Sequence, residues 1–148
     1  MKPLMIILSS LLLLIITPVR AGKVEVEHYS SNPDMQLPFS DAVRVGNMLY
    51  LSGKIGNIPG TPQLAEGGIQ GETRQTLENI KASLEKYGSS LSQVVKCTVF
   101  LADIAEWGAM NEVYMEYFHT NPPARSALGS SGLALASRVE IECMATVE

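Results

Sequence analysis

The stretch VVKCTVFLAD, residues 94–103, places the strongest limit on what this chain can fold into. It is rich in β-branched residues, which fit a pleated strand better than a helix. Its apolar residues fall at positions of both parities, so neither side of the strand is polar. A strand of that kind needs cover on both faces of its sheet. The rest of the chain has to supply that cover.

The neighbouring patterns show what is available. KVEVEHY, residues 23–29, alternates charge with Val24 and Val26 and reads as a half-buried strand, followed by a turn cluster at SSNPD, residues 30–34. In AVRVGNMLYLSGKIG the Gly46-Asn47 pair sits between apolar runs and predicts a hairpin with strands over 42–45 and 48–56. A Gly- and Pro-rich loop over 57–71 leads to ETRQTLENIKASLEKY. There Leu77, Ile80, Leu84 and Tyr87 keep helical spacing and Gly88 supplies a stop, so a helix is expected over 72–87. A second helix is expected over 108–118, with Met110, Val113, Tyr114, Tyr117 and Phe118 on its apolar stripe and the Pro122-Pro123 pair ending it. ARSALG and SRVEIECMATV read as the last two strands.

The resulting order, β-β-β-α-β-α-β-β, is that of an α+β domain with its helices on one face of the sheet. Two helices cover one face only. MLYL, like VVKCTVFL, is apolar at both parities, so the second face is expected to be covered by another copy of the chain.

The first 21 residues, MKPLMIILSSLLLLIITPVRA, follow a different logic: a basic start at Lys2, an apolar run from Leu4 to Ile16, then Pro18 and small residues at Val19 and Ala21. This is the pattern of a secretory signal, with cleavage expected after Ala21. The run is shorter than the roughly 20 residues a membrane span needs. Export to the periplasm or the medium is therefore expected, with a mature domain over 22–148 and no membrane attachment afterwards. An uncleaved anchor is the alternative. Losing Lys2 and Arg20 leaves nine basic against fifteen acidic side chains, a net charge near −6. The basic residues are scattered singly, which argues against nucleic acid as a partner. His28, His119, Cys97 and Cys143 show no ligand-like spacing, so no metal site is expected. Both cysteines fall within expected strands. Small buried hydrophobes are the commoner role there, and a disulfide is the alternative that an oxidising compartment opens.

A few residues could carry chemistry. Arg125 lies between a proline pair and a small-residue strand, and a guanidinium placed there needs either water or an anion. Glu140 and Glu142, two apart, share one sheet face, while Val139, Ile141 and Cys143 take the other. Arg125 and Glu140 could form a structural ion pair. Alternatively, the arginine could clamp a substrate carboxylate through two parallel hydrogen bonds while the glutamate holds a water and moves its proton. Ser52-Gly53 offers close backbone approach, or simply a strand end or bulge. Asn111 and Trp107 lie at the start of the second helix, where a polar first turn and plain packing are the ordinary readings. No Ser-His-Asp order, phosphate loop or nucleotide fingerprint is present.

Taken in order, VGNMLYLSGKIG, ETRQTLENIKASLEKYG, VVKCTVFLADI, MNEVYMEYF, PPARSALG and RVEIECMATV resemble the RidA/YjgF family of enamine/imine deaminases, whose older name is L-PSP endoribonuclease. The resemblance implies a chorismate-mutase-like α+β domain with a mixed six-stranded sheet and two helices on one face. It implies a homotrimer whose sheets line a central barrel, with clefts between subunits. The implied reaction is hydrolysis of a reactive enamine or imine, such as 2-aminoacrylate, to a 2-oxo acid and ammonia, with no metal or organic cofactor. By the same resemblance Arg125 binds the substrate carboxylate and Glu140 positions the attacking water. Phe39, Ser52, Gly53, Trp107 and Asn111 line the site. Phe39 stands where many members have a tyrosine, Ala127 where a cysteine is common, and Lys54 where a glutamine is usual. These changes bear on substrate choice. Two other activities stay open at this point: a trimeric binder of small carboxylates without turnover, and an endoribonuclease, which the acidic charge disfavours.

Overall fold

The computed structural model describes residues 22–30 and 37–148. The expected signal segment lies outside them, as does all but the first residue of the SSNPD turn. The described chain forms a mixed sheet of β1 (Val26–Tyr29), β2 (Ala42–Val45), β3 (Met48–Leu51), β4 (Lys54–Ile55), β5 (Val94–Leu101), β6 (Ala124–Gly129) and β7 (Val139–Thr146), with helices α1 (Gly68–Lys86) and α2 (Trp107–Tyr117). The sheet order is β1-β2-β3-β7-β5-β6, with β4 also pairing β7. All pairs are antiparallel except β5 with β6, which α2 joins as a parallel crossover.

The strand expected over 48–56 is divided, which gives seven strands rather than six. Tyr50 pairs Met144, but Lys54 pairs Ile141, so four steps on the β3–β4 side oppose three on β7. The extra residue is a β-bulge at Ser52-Gly53. It also changes which way the chain faces. Lys54 would follow Tyr50 to the open side by simple alternation; the bulge turns it to the helix side, where it meets Asp41.

A second bulge resolves part of the two-sided apolar pattern of β5. The register shifts between Val94 and Lys96, so Val94, Cys97, Val99 and Leu101 all reach the core although their spacing is not strictly two. On β7, Val139, Ile141, Cys143 and Ala145 are buried and Glu140, Glu142 and Met144 face the other way. The core lies between this face of the sheet and the two helices, with Leu77, Ile80 and Leu84 of α1 and Met110 and Val113 of α2 fully or nearly fully buried. The opposite face is open along its length. Tyr50 and Met144, cross-strand neighbours there, are 39% and 36% exposed.

Cys97 and Cys143 form a disulfide, so the reading of both as free hydrophobes is corrected. The reason is register. They are directly paired across β5 and β7, with Cα atoms 4.1 Å apart, at one of the close positions of an antiparallel ladder. Sequence pattern locates the two strands but not which residues stand opposite each other.

Helix α1 starts four residues earlier than expected. The GGIQG stretch has loop composition, yet Gly67 and Gly68 take φ of 100° and 63° at the helix entrance. Gly71 lies so close under the Glu66 carbonyl that a Cβ would collide with it. Glu72, the first residue of the expected helix, is 5% exposed and accepts a hydrogen bond from the Arg138 backbone N–H at 2.8 Å. That bond ties the start of α1 to the start of β7.

Candidate functional site

Arg125 lies on the edge strand β6, level with Cys97 of β5, and so turns toward the helix-covered side. Its guanidinium carbon sits 4.5 Å from the ring centroid of Tyr114 and 5.8 Å from that of Trp107. Both distances are within cation–π range. Among the described residues no carboxylate pairs with it. A cleft of about 650 Å³ opens in front of it, lined by Asn111, Tyr114, Met115, Phe118, Pro123 and Arg125 among others. Helical spacing brings Asn111, Tyr114, Met115 and Phe118 onto one wall, and the prolines after α2 form the rim. Burial pushes the Tyr114 hydroxyl up to about 12, with the Arg125 charge pulling the other way, so the phenol stays protonated at neutral pH. Ala127 follows Arg125 at a two-residue step on the same side of β6.

Glu140 lies elsewhere. It pairs Phe100 of β5 and Ile55 of β4, three positions along β7 from the level of Arg125. With Glu142 it occupies the open face, as the alternation predicted. Strand β5 separates it from β6, and the two side chains leave the sheet on opposite sides. The Arg125–Glu140 ion pair that the sequence left open is therefore not formed within the chain. Glu140 instead lies over Gly53: a Cβ added there would be 2.8 Å from the carboxylate carbon and closer still to one oxygen. The bulge and the missing side chain together make room for the carboxylate. Both readings of Ser52-Gly53 hold at once, a bulge by geometry and a close approach by contact.

A set of half-buried polar bonds fixes this bulge. The Ser52 hydroxyl donates to the Ser40 carbonyl at 2.7 Å, and the Ser52 N–H donates to the Asp41 carbonyl at 3.1 Å. The Asp41 carboxylate accepts from the Tyr87 hydroxyl at 2.7 Å and pairs with Lys54. Burial disfavours the Asp41 charge, but the bonds from Lys54 and Tyr87 outweigh it and hold the carboxyl below the usual range. Burial, then the neighbouring Asp41 carboxylate, push Tyr87 above the usual phenol value.

The expected site residues thus fall into two groups. Arg125, Asn111 and Trp107 gather beside α2 and β6, with Trp107 44% exposed at the first turn of the helix. Ser52, Gly53 and Glu140 gather at the bulge. Phe39 joins neither group: it is 60% exposed in the loop before β2 and does not line the cleft. Tyr114 was placed in the core stripe, and its part in the cleft was missed. Its position three residues after Asn111, on the same helical face, was the signal that could have shown it. The Lys54–Asp41–Tyr87 set was also missed, because the bulge that turns Lys54 inward is not visible in the spacing.

Comparison with known proteins places this architecture. The sequence profile of the endoribonuclease L-PSP family matches residues 29–147. The chain belongs to this family, RidA/YjgF. A RutC family protein of Pyrococcus horikoshii is 46% identical over 111 residues, covering 75% of this chain and 88% of the relative. The human protein named 2-iminobutanoate/2-iminopropanoate deaminase is 44% identical over 108 residues, covering 73% and 79%. The crystal structure of RidA from an Antarctic Psychrobacter superposes with a TM-score of 0.72 at 38% identity, covering 78% of this chain and 93% of that one. Relatives named as deaminases support an enzymatic role for this RidA family chain.

Proposed function

We propose that this RidA family chain hydrolyses small 2-imino acids, or the enamines that tautomerise to them, to 2-oxo acids and ammonia, in clefts formed between copies of the chain. The observation that carries this reading is the pair of incomplete groups. Among the described residues, an arginine without a carboxylate partner stands in a cleft, and a carboxylate without a basic partner stands over a glycine on the opposite sheet face. Each supplies what the other lacks. A second copy of the chain would bring them together without refolding either, and would cover the apolar residues of the open face. A trimer closed by threefold symmetry repeats one such contact three times.

In that cleft Arg125 holds the substrate carboxylate through its N–H edge. Asn111 and the backbone at Gly53 are within the groups available to hold the nitrogen-bearing end. Glu140 takes a proton from water as the oxygen adds to the imine carbon, and the C=N bond becomes a C–N single bond. The proton passes to the nitrogen. Collapse of the carbinolamine breaks the C–N bond, forms the ketone and releases ammonia, so one water is consumed for each ammonia produced. Export belongs to the same proposal: the N-terminal pattern points to it, and a buried disulfide is at home in an oxidising compartment.

The test supplies the full chain with 2-aminoacrylate from a dehydratase and follows pyruvate. Acceleration over buffer is expected, along with a mass of three chains by light scattering. No acceleration, with retained affinity for 2-oxo acids, would leave a carboxylate binder in place of an enzyme.

A further inference from the structure

The Arg125 cleft is larger and more apolar than a three- or four-carbon acid requires. At about 650 Å³ it falls among pockets that enclose drug-sized ligands, roughly 300–1,000 Å³. A small acid held at Arg125 would fill only part of it. The rest is walled mainly by α2 and its end. Asn111, Met115 and Phe118 follow one another at steps of four and three, so they share one stripe, polar at its start and apolar beyond. Met115 is 60% exposed there, and Phe118 and Pro123 continue the same apolar surface. A contiguous apolar patch inside a cleft marks the seat of an apolar partner. The acidic residues of α2 turn elsewhere: Glu112 accepts a hydrogen bond from Gln70 and Glu116 pairs with Arg74, both on α1. Among the described residues the cleft therefore offers a cation, an amide and an apolar wall, with no carboxylate to repel an anion. A second copy set against the cleft would narrow it and leave this wall apolar. His119 is the other polar group that lines it, exposed beyond the last residue of α2. A protonated imidazole there would favour a second carboxylate on the ligand. An ion pair in water contributes little, whereas any apolar chain laid on Met115 and Phe118 leaves water and gains by it.

We propose that the cleft selects 2-imino acids with large apolar side chains, the carboxylate on Arg125 and the side chain along Met115 and Phe118. This rests on the deaminase reading above and on the cleft being the substrate site. It narrows that reading from small imino acids in general to a class defined by the wall of α2. Met115 is the specificity-determining residue of that wall, because it is the most exposed of its large apolar side chains.

The test gives the full-length chain imines made in place, by D-amino-acid oxidase from the D-forms of alanine, leucine and phenylalanine, and by D-aspartate oxidase from D-glutamate. Semicarbazide captures the imine that escapes hydrolysis, and that competition reads kcat/KM for each substrate. A single methylene in an apolar pocket is worth about tenfold or more. The leucine and phenylalanine imines are therefore expected to exceed the alanine imine by at least about tenfold. Met115→Gln keeps the length of the side chain and its helix propensity and puts an amide on the wall. It should lower the ratio of leucine to alanine imine by about tenfold. A parent that hydrolyses the alanine imine as well as the larger ones overturns the inference and leaves the deaminase reading standing. The same ratio in Met115→Gln, with the parent's circular dichroism, overturns it as well, because the wall would then not read the side chain. A preference for the glutamate imine also overturns it, and loss of that preference in His119→Ala would assign the second carboxylate to His119. Hydrolysis of none of the four overturns the deaminase reading and this inference together.

Discussion

The Arg125 group and the Glu140 group reach opposite solutions to one problem, how to hold a charge ready at a protein surface. Around Arg125 the chain adds material. Two aromatic rings carry the cation, and a wall of α2 and two prolines bound the cleft. Around Glu140 it removes material: a bulge displaces the backbone, and a glycine gives up its side chain so that the carboxylate fits. A cation gains from aromatic faces, which attract it. A carboxylate next to the same faces would lose solvation and gain nothing. The comparison teaches that the first group is vulnerable to truncation and the second to addition.

The largest effect is expected where the cation itself is lost. Arg125→Ala should lower kcat/KM for 2-aminoacrylate by roughly two to three orders of magnitude, as truncating one side of a buried charge pair commonly does. An activity within tenfold of the parent would break the comparison at its first half. The complementary break is an addition. Gly53→Ala places a Cβ 2.8 Å from the Glu140 carboxylate carbon. It should push the Glu140 carboxylate aside and reduce kcat by about a hundredfold, with little loss of stability because the contact is with the end of a flexible side chain. A normal kcat with a crystal structure showing Glu140 unmoved would refute the close-approach account.

A mixing experiment sharpens the relation between the two groups. Arg125→Ala and Glu140→Gln, each inactive alone, should recover activity when refolded together, because random assembly leaves roughly a quarter of the intersubunit clefts with both native residues. No recovery in confirmed mixed assemblies would mean that the groups never meet across subunits.

Two further variants test the scaffold that holds the groups apart. Replacing both Cys97 and Cys143 with alanine should cost up to about 4 kcal/mol for a loop of 46 residues on the chain-entropy account, read as a lower denaturant midpoint. An unchanged midpoint would show that the ladder alone sets the β5–β7 register. The smallest effect concerns pH. The folded-state pKa of Asp41 is depressed, so its contribution to stability is full above the ordinary carboxylate value and is lost as pH falls through the lower folded value. Asp41→Asn should therefore flatten the acid limb of the stability profile below the ordinary carboxylate range and leave its shape near neutrality alone. An acid limb unchanged by the substitution would assign that limb to other carboxylates.

Much of this molecule is written in local pattern. The hairpin at Gly46-Asn47, both helices and the shared face of Glu140 and Glu142 follow from periodicities of 2 and 3.6 and from Gly and Pro punctuation. The candidate residues were legible as residue types: an arginine after a proline pair, alternating glutamates, a Ser-Gly at a strand end. The early start of α1 was hidden because glycine composition signals a loop while close backbone approach can also require it. The disulfide was hidden because pairing across strands depends on register, which no single strand states.

The sequence by itself determined most of the elements that form and which residue types they offer. The tertiary structure decided where those side chains point. A one-residue bulge turned Lys54 inward and cleared space for Glu140, and strand order set β5 between Arg125 and Glu140 with the two on opposite faces. The physical reason is that side-chain direction along a strand alternates with a period of two, so a single inserted residue reverses everything beyond it. Such an insertion is settled by how strands pair across the sheet, and the order of residues along one strand does not contain that information.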